Sequence, residues 1–212
     1  MKKVLIVLLV VVGILILGIV VIGGWGVSVN NRLVGLSQEV DKQWAQVENV
    51  YQRRYDLIPN LVATVAGAAN FEKSTLTEIT QARASVGKIQ VNANQIASDP
   101  AKLAAFQQAQ DSLSSALSRL LVVVERYPEL KSNSNFLELQ AQLEGTENRI
   151  SVERGRFNEV VQTYNTVVKQ FPSSLVAGIR NFTEKPYFTA VSGAETVPRV
   201  EFNFGPGNST NR

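Results

Sequence analysis

Nineteen consecutive positions, Val4 to Ile22, hold only aliphatic residues and glycine, and the next charge after them is Arg32. A helix rises about 1.5 Å per residue, so this run comes close to crossing about 30 Å of hydrocarbon. No other feature constrains the chain as much. A core helix apolar all round needs a much larger protein around it. A cleaved signal peptide is the competing reading. Lys2 and Lys3 supply its basic start, but the apolar run exceeds the usual 7–15 residues, and only Gly23, Gly24 and Gly26, with Trp25 among them, offer small residues at its end. The run therefore reads as an uncleaved anchor from Val4 to Ile22, with Trp25 at the bilayer interface. Lys2 and Lys3 outweigh Arg32 and Lys42 near the span, which puts the amino end in the cytoplasm and the rest of the chain on the exported side of the membrane.

About 180 residues follow the anchor, enough for one domain with a real core. Setting Lys2 and Lys3 aside leaves 19 basic against 18 acidic residues, without a block of like charge. Nucleic acid is not an expected partner of such a surface, because binding it takes a basic stripe. The chain has no cysteine and no histidine. Disulfides, thiol nucleophiles and thiolate metal sites are excluded, along with the commonest general base and metal ligand. No cofactor or metal is expected, and no catalytic residue is assigned.

Past Gly26 the pattern turns amphipathic, predicting a helix from Asn30 to Asn70. Leu33, Val40, Val47, Leu61 and Ala68 keep a seven-residue spacing, flanked by Trp44, Tyr51, Ile58 and Val65. Pro59 interrupts it and takes the N–H from the Tyr55 carbonyl, so a kink is expected there. Thr75 and Glu78 have capping-box spacing for a second helix, and Asp99-Pro100 marks a third, ended by Pro128. In the fourth, Phe136, Leu143, Ile150, Phe157, Tyr164 and Phe171 are spaced by seven, with Asn135 and Glu138 as its cap and Pro172 at its end. The fold class is all-α: one amino-terminal transmembrane helix, then an elongated antiparallel bundle of about four helices. The divisions are 1–29 anchor, 30–180 bundle, 181–204 extended segment and 205–212 disordered tail. Within the extended segment Val200, Phe202 and Phe204 alternate with polar residues, and a lone strand must pack on its own bundle or on another copy.

Four motifs, RRYDLIPNL (Arg53 to Leu61), NFLELQAQLEGTENRI (Asn135 to Ile150), FPSSLVAG (Phe171 to Gly178) and KPYF (Lys185 to Phe188), resemble the LemA family of bacterial membrane-anchored helical proteins. The resemblance covers roughly residues 1 to 204. It implies an elongated antiparallel bundle behind one span, and no settled biochemical activity. The family has been described with its short amino terminus outside, opposite to the orientation that Lys2 and Lys3 indicate.

Two motif elements are candidate interaction sites. Arg53, Arg54 and Asp56 crowd the turn before Pro59, and Asn60 is placed to satisfy a backbone group that the proline frees. This reads either as a docking surface at a bend or as an ion cluster within the helix. Glu144, Glu147 and Asn148 surround Thr146 on the fourth helix. Carboxylates three apart share a face, which suits acid–base work or a divalent cation. A buried polar layer that fixes helix register fits better, with Gly145 admitting a neighbour. The expected function is a non-enzymatic membrane scaffold or adaptor, in contact with the lipid bilayer and with protein partners that the sequence does not name. The rivals are a self-assembling homo-oligomer that organises membrane, with Val200 to Phe204 passing between copies, and a regulatory subunit of a membrane enzyme such as a protease.

Overall fold

A single helix, α1, runs from Lys2 to Ala66 and carries both the apolar span and the first bundle helix. The computed structural model describes residues 2–68, 71–90 and 93–189. The change of pattern at Gly26 marks a change of environment and not a break. The large apolar side chains from Leu8 to Leu17 and from Ile19 to Ile22 are exposed, whereas Leu33, Val40 and Val47 on the same helix are fully buried. Gly23, Gly24 and Gly26 stay helical despite a cost of about 1 kcal/mol each in water, because the helix on either side of them is held by the span and by the buried seam. Among the described residues this is the one helix long and apolar enough to cross a membrane.

The remaining elements are α2 (Lys73–Gln90), a 3-10 turn (Ala93–Ser98), α3 (Pro100–Val124), a short α4 (Pro128–Lys131), α5 (Ser134–Lys169) and α6 (Ser173–Ile179). Helix α1 lies mainly against α5 and helix α2 mainly against α3. Both pairs are antiparallel. Gln43 and Arg54 of α1 meet Glu153 and Glu147 of α5, while Glu72 and Glu78, before and within α2, meet Arg126, just past α3, and Arg119, in its last two turns.

Several boundaries differ from the sequence expectation. Asp99 caps α3 as expected, accepting from the N–H groups of Ala101 (2.9 Å) and Lys102 (3.2 Å). On α5 the cap is Asn133, whose side chain accepts from Asn135 and Phe136, and not Asn135 with Glu138. Glu138 instead accepts from Gln142. Helix α2 begins two residues before Thr75, and Glu78 is spent on Arg119. Helix α3 stops at Val124, so Pro128 opens α4 where it was expected to end a helix. Helix α5 ends at Lys169, which takes Phe171 off the heptad seam and leaves it 75% exposed.

Two apolar clusters form the core. The one nearer the span gathers Leu33, Val40, Trp44 and Tyr51 of α1 with Phe106 of α3 and Phe157 and Tyr164 of α5. The distant one gathers Ile58, Leu61 and Val65 with α2 residues Ile79 and Val86, α3 residues Leu113 and Leu120, and Leu143 of α5. Helix α6 closes with Asn181 in the left-handed conformation (φ 57°). The N–H of Phe182 reaches the Ala177 carbonyl (2.9 Å) and that of Asn181 the Gly178 carbonyl (3.3 Å). This Schellman turn reverses the chain into residues 182–189, which run without helix back along α5. Val200, Phe202 and Phe204 lie outside the described residues.

Candidate functional site

The seven-residue series Leu33, Val40, Val47 and Leu61 skips one member, and the missing member is Arg54. Its side chain is 1% exposed and lies between the two clusters, in a seam position that packing would give to an aliphatic residue. Nη1 donates to Ser114 Oγ at 2.7 Å and to Glu147 Oε1 at 2.6 Å. Nη2 donates to the carbonyl and the side-chain oxygen of Gln110. One guanidinium thus joins α1, α3 and α5. Nε of Arg54 and Nε2 of Gln110 have no hydrogen-bond partner among the described residues. Burial pushes the neighbouring Tyr51 phenol above its ordinary value, against the lowering pull of the Arg154 and Arg54 charges. The raised phenol stays protonated near neutral pH, and the Arg54 guanidinium is paired with the Glu147 carboxylate.

The other candidates divide around this node. Glu147 is the carboxylate that enters it, though its side chain stays 41% exposed. Most of the expected buried polar layer lies at the surface: Glu144 faces solvent and accepts from Gln140 (2.9 Å), and Asn148 is exposed. The buried member of that layer is Thr146, bonded to the Gln142 carbonyl, and Gly145 faces open space where a close neighbour was expected. Arg53 and Asp56 are exposed, and the expected ion cluster is replaced by an Asp56 contact with Gln52 Nε2 (2.7 Å). Between α3 and α5, beside Glu147, lies a groove of about 460 Å³ with Leu61, Leu117, Leu121 and Leu143 among its lining residues.

Pro59 is exposed and the helix continues through it. Asn60 does not satisfy the backbone there; it is exposed, and its carbonyl accepts from Thr64 Oγ1. The Tyr55 carbonyl, denied an N–H by the proline, accepts instead from Arg83 Nε of α2 at 3.3 Å. Arg83 also covers the Tyr55 ring at 3.8 Å, and the Tyr55 hydroxyl fills the space a Cβ at Gly87 would need (3.1 Å). The proline therefore makes a socket for α2. Arg83→Ala removes the carbonyl's donor and the cation–π contact, and an expected loss of about 1–2 kcal/mol follows. Chemical denaturation of the full chain checks this; a change below about 0.5 kcal/mol is the ordinary surface response and refutes the socket.

Sequence reasoning missed the residues that hold the extended segment. A lone strand needs a partner for its backbone, and here amide side chains stand in for one. Asn165 donates to the Lys185 carbonyl (2.8 Å) and accepts from its N–H (2.9 Å). Asn158 does the same for Phe188 (3.0 and 2.9 Å), and Gln107 of α3 for Thr189 (2.8 and 3.3 Å). Lys185 is buried and donates to Asp41 at 2.8 Å, while the Phe188 ring stacks on Trp44 and meets Phe157 edge-on. Tyr164 donates to the Thr183 carbonyl at 3.0 Å. Amides at helical spacing were the available signal, but they are also what a solvated face carries.

Each of the four motifs thus supplies a joint: Arg54 and Pro59 from the first, Glu147 from the second, α6 from the third, Lys185 and Phe188 from the fourth. The chain is similar to several known proteins. "Magnetosome protein MamQ 2" of Paramagnetospirillum magneticum is 25% identical over 181 residues, which cover 78% of this chain and 66% of that protein. "Magnetosome protein MamQ" of Magnetospirillum gryphiswaldense gives the same figures. "Protein LemA" of Metamycoplasma hominis is 24% identical over 171 residues, covering 81% of this chain and 72% of that one. The chain therefore spans just under two thirds of the length of the magnetosome proteins it matches. The LemA family profile matches residues 43–202, which take in all four motifs, and the chain belongs to the LemA family.

Proposed function

We propose that this protein is a non-enzymatic scaffold anchored in the bacterial cytoplasmic membrane, with its bundle on the extracytoplasmic side. The observation that carries the reading is the continuity of α1 from Lys2 to Ala66. Its 44 residues beyond Ile22 extend about 66 Å, and no hinge separates them from the span. Whatever binds the bundle is held at a fixed height and orientation above the lipid. The absence of cysteine and histidine and the neutralised Arg54–Glu147 pair support a role without catalysis. The orientation rests on Lys2 and Lys3.

The test is an insertion of Gly-Gly-Ser after Gly26 in the full chain. Membrane insertion and thermal unfolding should be unchanged, while the complex extracted in mild detergent loses its partner chains. Retention of the same complex by the hinged protein refutes the reading.

Within this reading, the α3–α5 groove is assigned to the chain's own carboxy-terminal segment. Residues 185–189 already lie along α5 and reach Gln107, and the groove continues the same line toward Leu121. From Gln107 to Leu121 is about 21 Å of helix, and the eleven residues from Thr189 to Val200 reach up to about 36 Å. The leucines suit the alternating Val200, Phe202 and Phe204. A cysteine at Leu121 paired with one at Phe202 should form a disulfide within one chain. Linkage between chains would instead support self-assembly, and no linkage would refute the assignment.

A further inference from the structure

Helix α6 sits where the span meets the bundle. Val176 and Ile179 share a cleft with Gly23, Gly26 and Val27 of α1, and Arg180 Nε donates to Asn30 Oδ1 at 3.1 Å. One side of α6 is bound to the protein: Ala177 is 2% exposed and Val176 packs on the core nearer the span. The other side is bare. Leu175 and Ile179, one turn apart on a common face, are 57% and 80% exposed, and Phe171 in the turn before the helix is 75% exposed. From Phe171 to Ile179 there is no charged residue, while Lys169 and Arg180 flank the stretch.

Unpartnered apolar side chains of this size on a soluble rim need a cover, and their height above the span identifies it. Gly23 to Val27 follow the last aliphatic residue of the span by one to five positions, which places the α6 cleft within about 8 Å of the hydrocarbon edge. That is the depth at which an amphipathic helix lies in a bilayer, its apolar face about 5–10 Å into the headgroup–acyl boundary. The exposed face also continues the apolar surface of the span itself, where Ile19, Val20, Val21 and Ile22 are exposed. Trp25, on the intervening turn, is 37% exposed and suits the same boundary.

We propose that α6 is a second membrane contact: an interfacial helix that lies in the leaflet beside the span, with Phe171, Leu175 and Ile179 in the acyl boundary and Lys169 and Arg180 at phosphate level. Two points of attachment, span and α6, fix the rotation of the bundle about the membrane normal. The proposal needs only the span to cross the bilayer and holds for either orientation of the chain.

The chain has no cysteine, so single labelled cysteines report position cleanly. The full protein is reconstituted in vesicles of phosphatidylcholine and phosphatidylglycerol with an environment-sensitive fluorophore at Ile179→Cys or Leu175→Cys. Val122→Cys, 71% exposed on α3, is the aqueous control. Blue-shifted emission at 179 and 175, quenched by lipids with a nitroxide at a shallow acyl position and shielded from iodide, is the expected result. Leu175→Asp should lower the lipid quenching of the 179 probe several-fold without changing thermal unfolding. A 179 probe as aqueous as the one at 122 overturns the proposal. So does a probe shielded from iodide but not quenched by lipid, since that face is then covered by protein.

Discussion

Replacing Phe157 by alanine is expected to destabilise the bundle by about 3–5 kcal/mol. The ring is 0% exposed and is the point where three parts of the chain meet. It packs edge-on to Trp44 of α1, with ring centroids 5.6 Å apart, and to Phe188 of the extended segment, at 5.4 Å. Trp44 is in turn braced by Phe106 and Phe188, so the cavity left by the ring cannot close by a simple rotation. Loss of the contact with Phe188 should also loosen residues 182–189 and make them sensitive to protease before the helices unfold. Denaturant unfolding of the full chain in detergent, followed by helicity, gives the free energy, and fluorescence adds a local view. Trp44 is one of only two tryptophans and the other, Trp25, lies by the span. A loss under about 1 kcal/mol would mean that Phe157 is not in the seam.

How far such residues were readable depends on what marks them. The seam of α5 was legible because an aromatic or aliphatic residue every seven positions has no other common cause. Arg54 was not, because its signal is a gap: an arginine in an apolar series is ordinarily a solvated interruption. The spacing of Glu144 and Glu147 placed them on one face without saying which of the two met the bundle. Asn133 and Asn135 are equally good caps in sequence, and only the backbone chooses between them. The sequence started the bundle helix at Asn30, past the glycines that follow the span, and glycine in a helix does carry a real cost in water. Their helix persists because the span before it and the buried seam after it are both helical. The clamps on residues 185–189 come from Asn158, Asn165 and Gln107, up to 82 positions away, and no local period encodes such a pairing. What the motifs did carry was location: all four fall on joints between elements.

Glu147→Leu should cost roughly 3 kcal/mol, although Glu147 is the more exposed partner of its ion pair. Removing it leaves the Arg54 guanidinium charged, buried and facing only neutral acceptors on Ser114 and Gln110, with Nε already unpaired. Breaking a buried pair from one side typically costs about 3–5 kcal/mol, and the water that reaches the Glu147 position pulls this case to the low end. Arg54→Met removes more hydrogen bonds but should cost less. It leaves a carboxylate that can turn into solvent, and it restores an apolar residue to the Leu33–Val40–Val47–Leu61 seam. The double variant Arg54→Met/Glu147→Leu should recover most of what Glu147→Leu loses. Denaturant midpoints of the four proteins settle the cycle. Were Glu147→Leu to shift stability by under about 0.5 kcal/mol, the pair would behave as a surface bridge and Arg54 would not be a buried charge. The larger cost at the glutamate, with rescue in the double variant, is the signature of an arginine that the bundle holds away from water and relies on to join three helices.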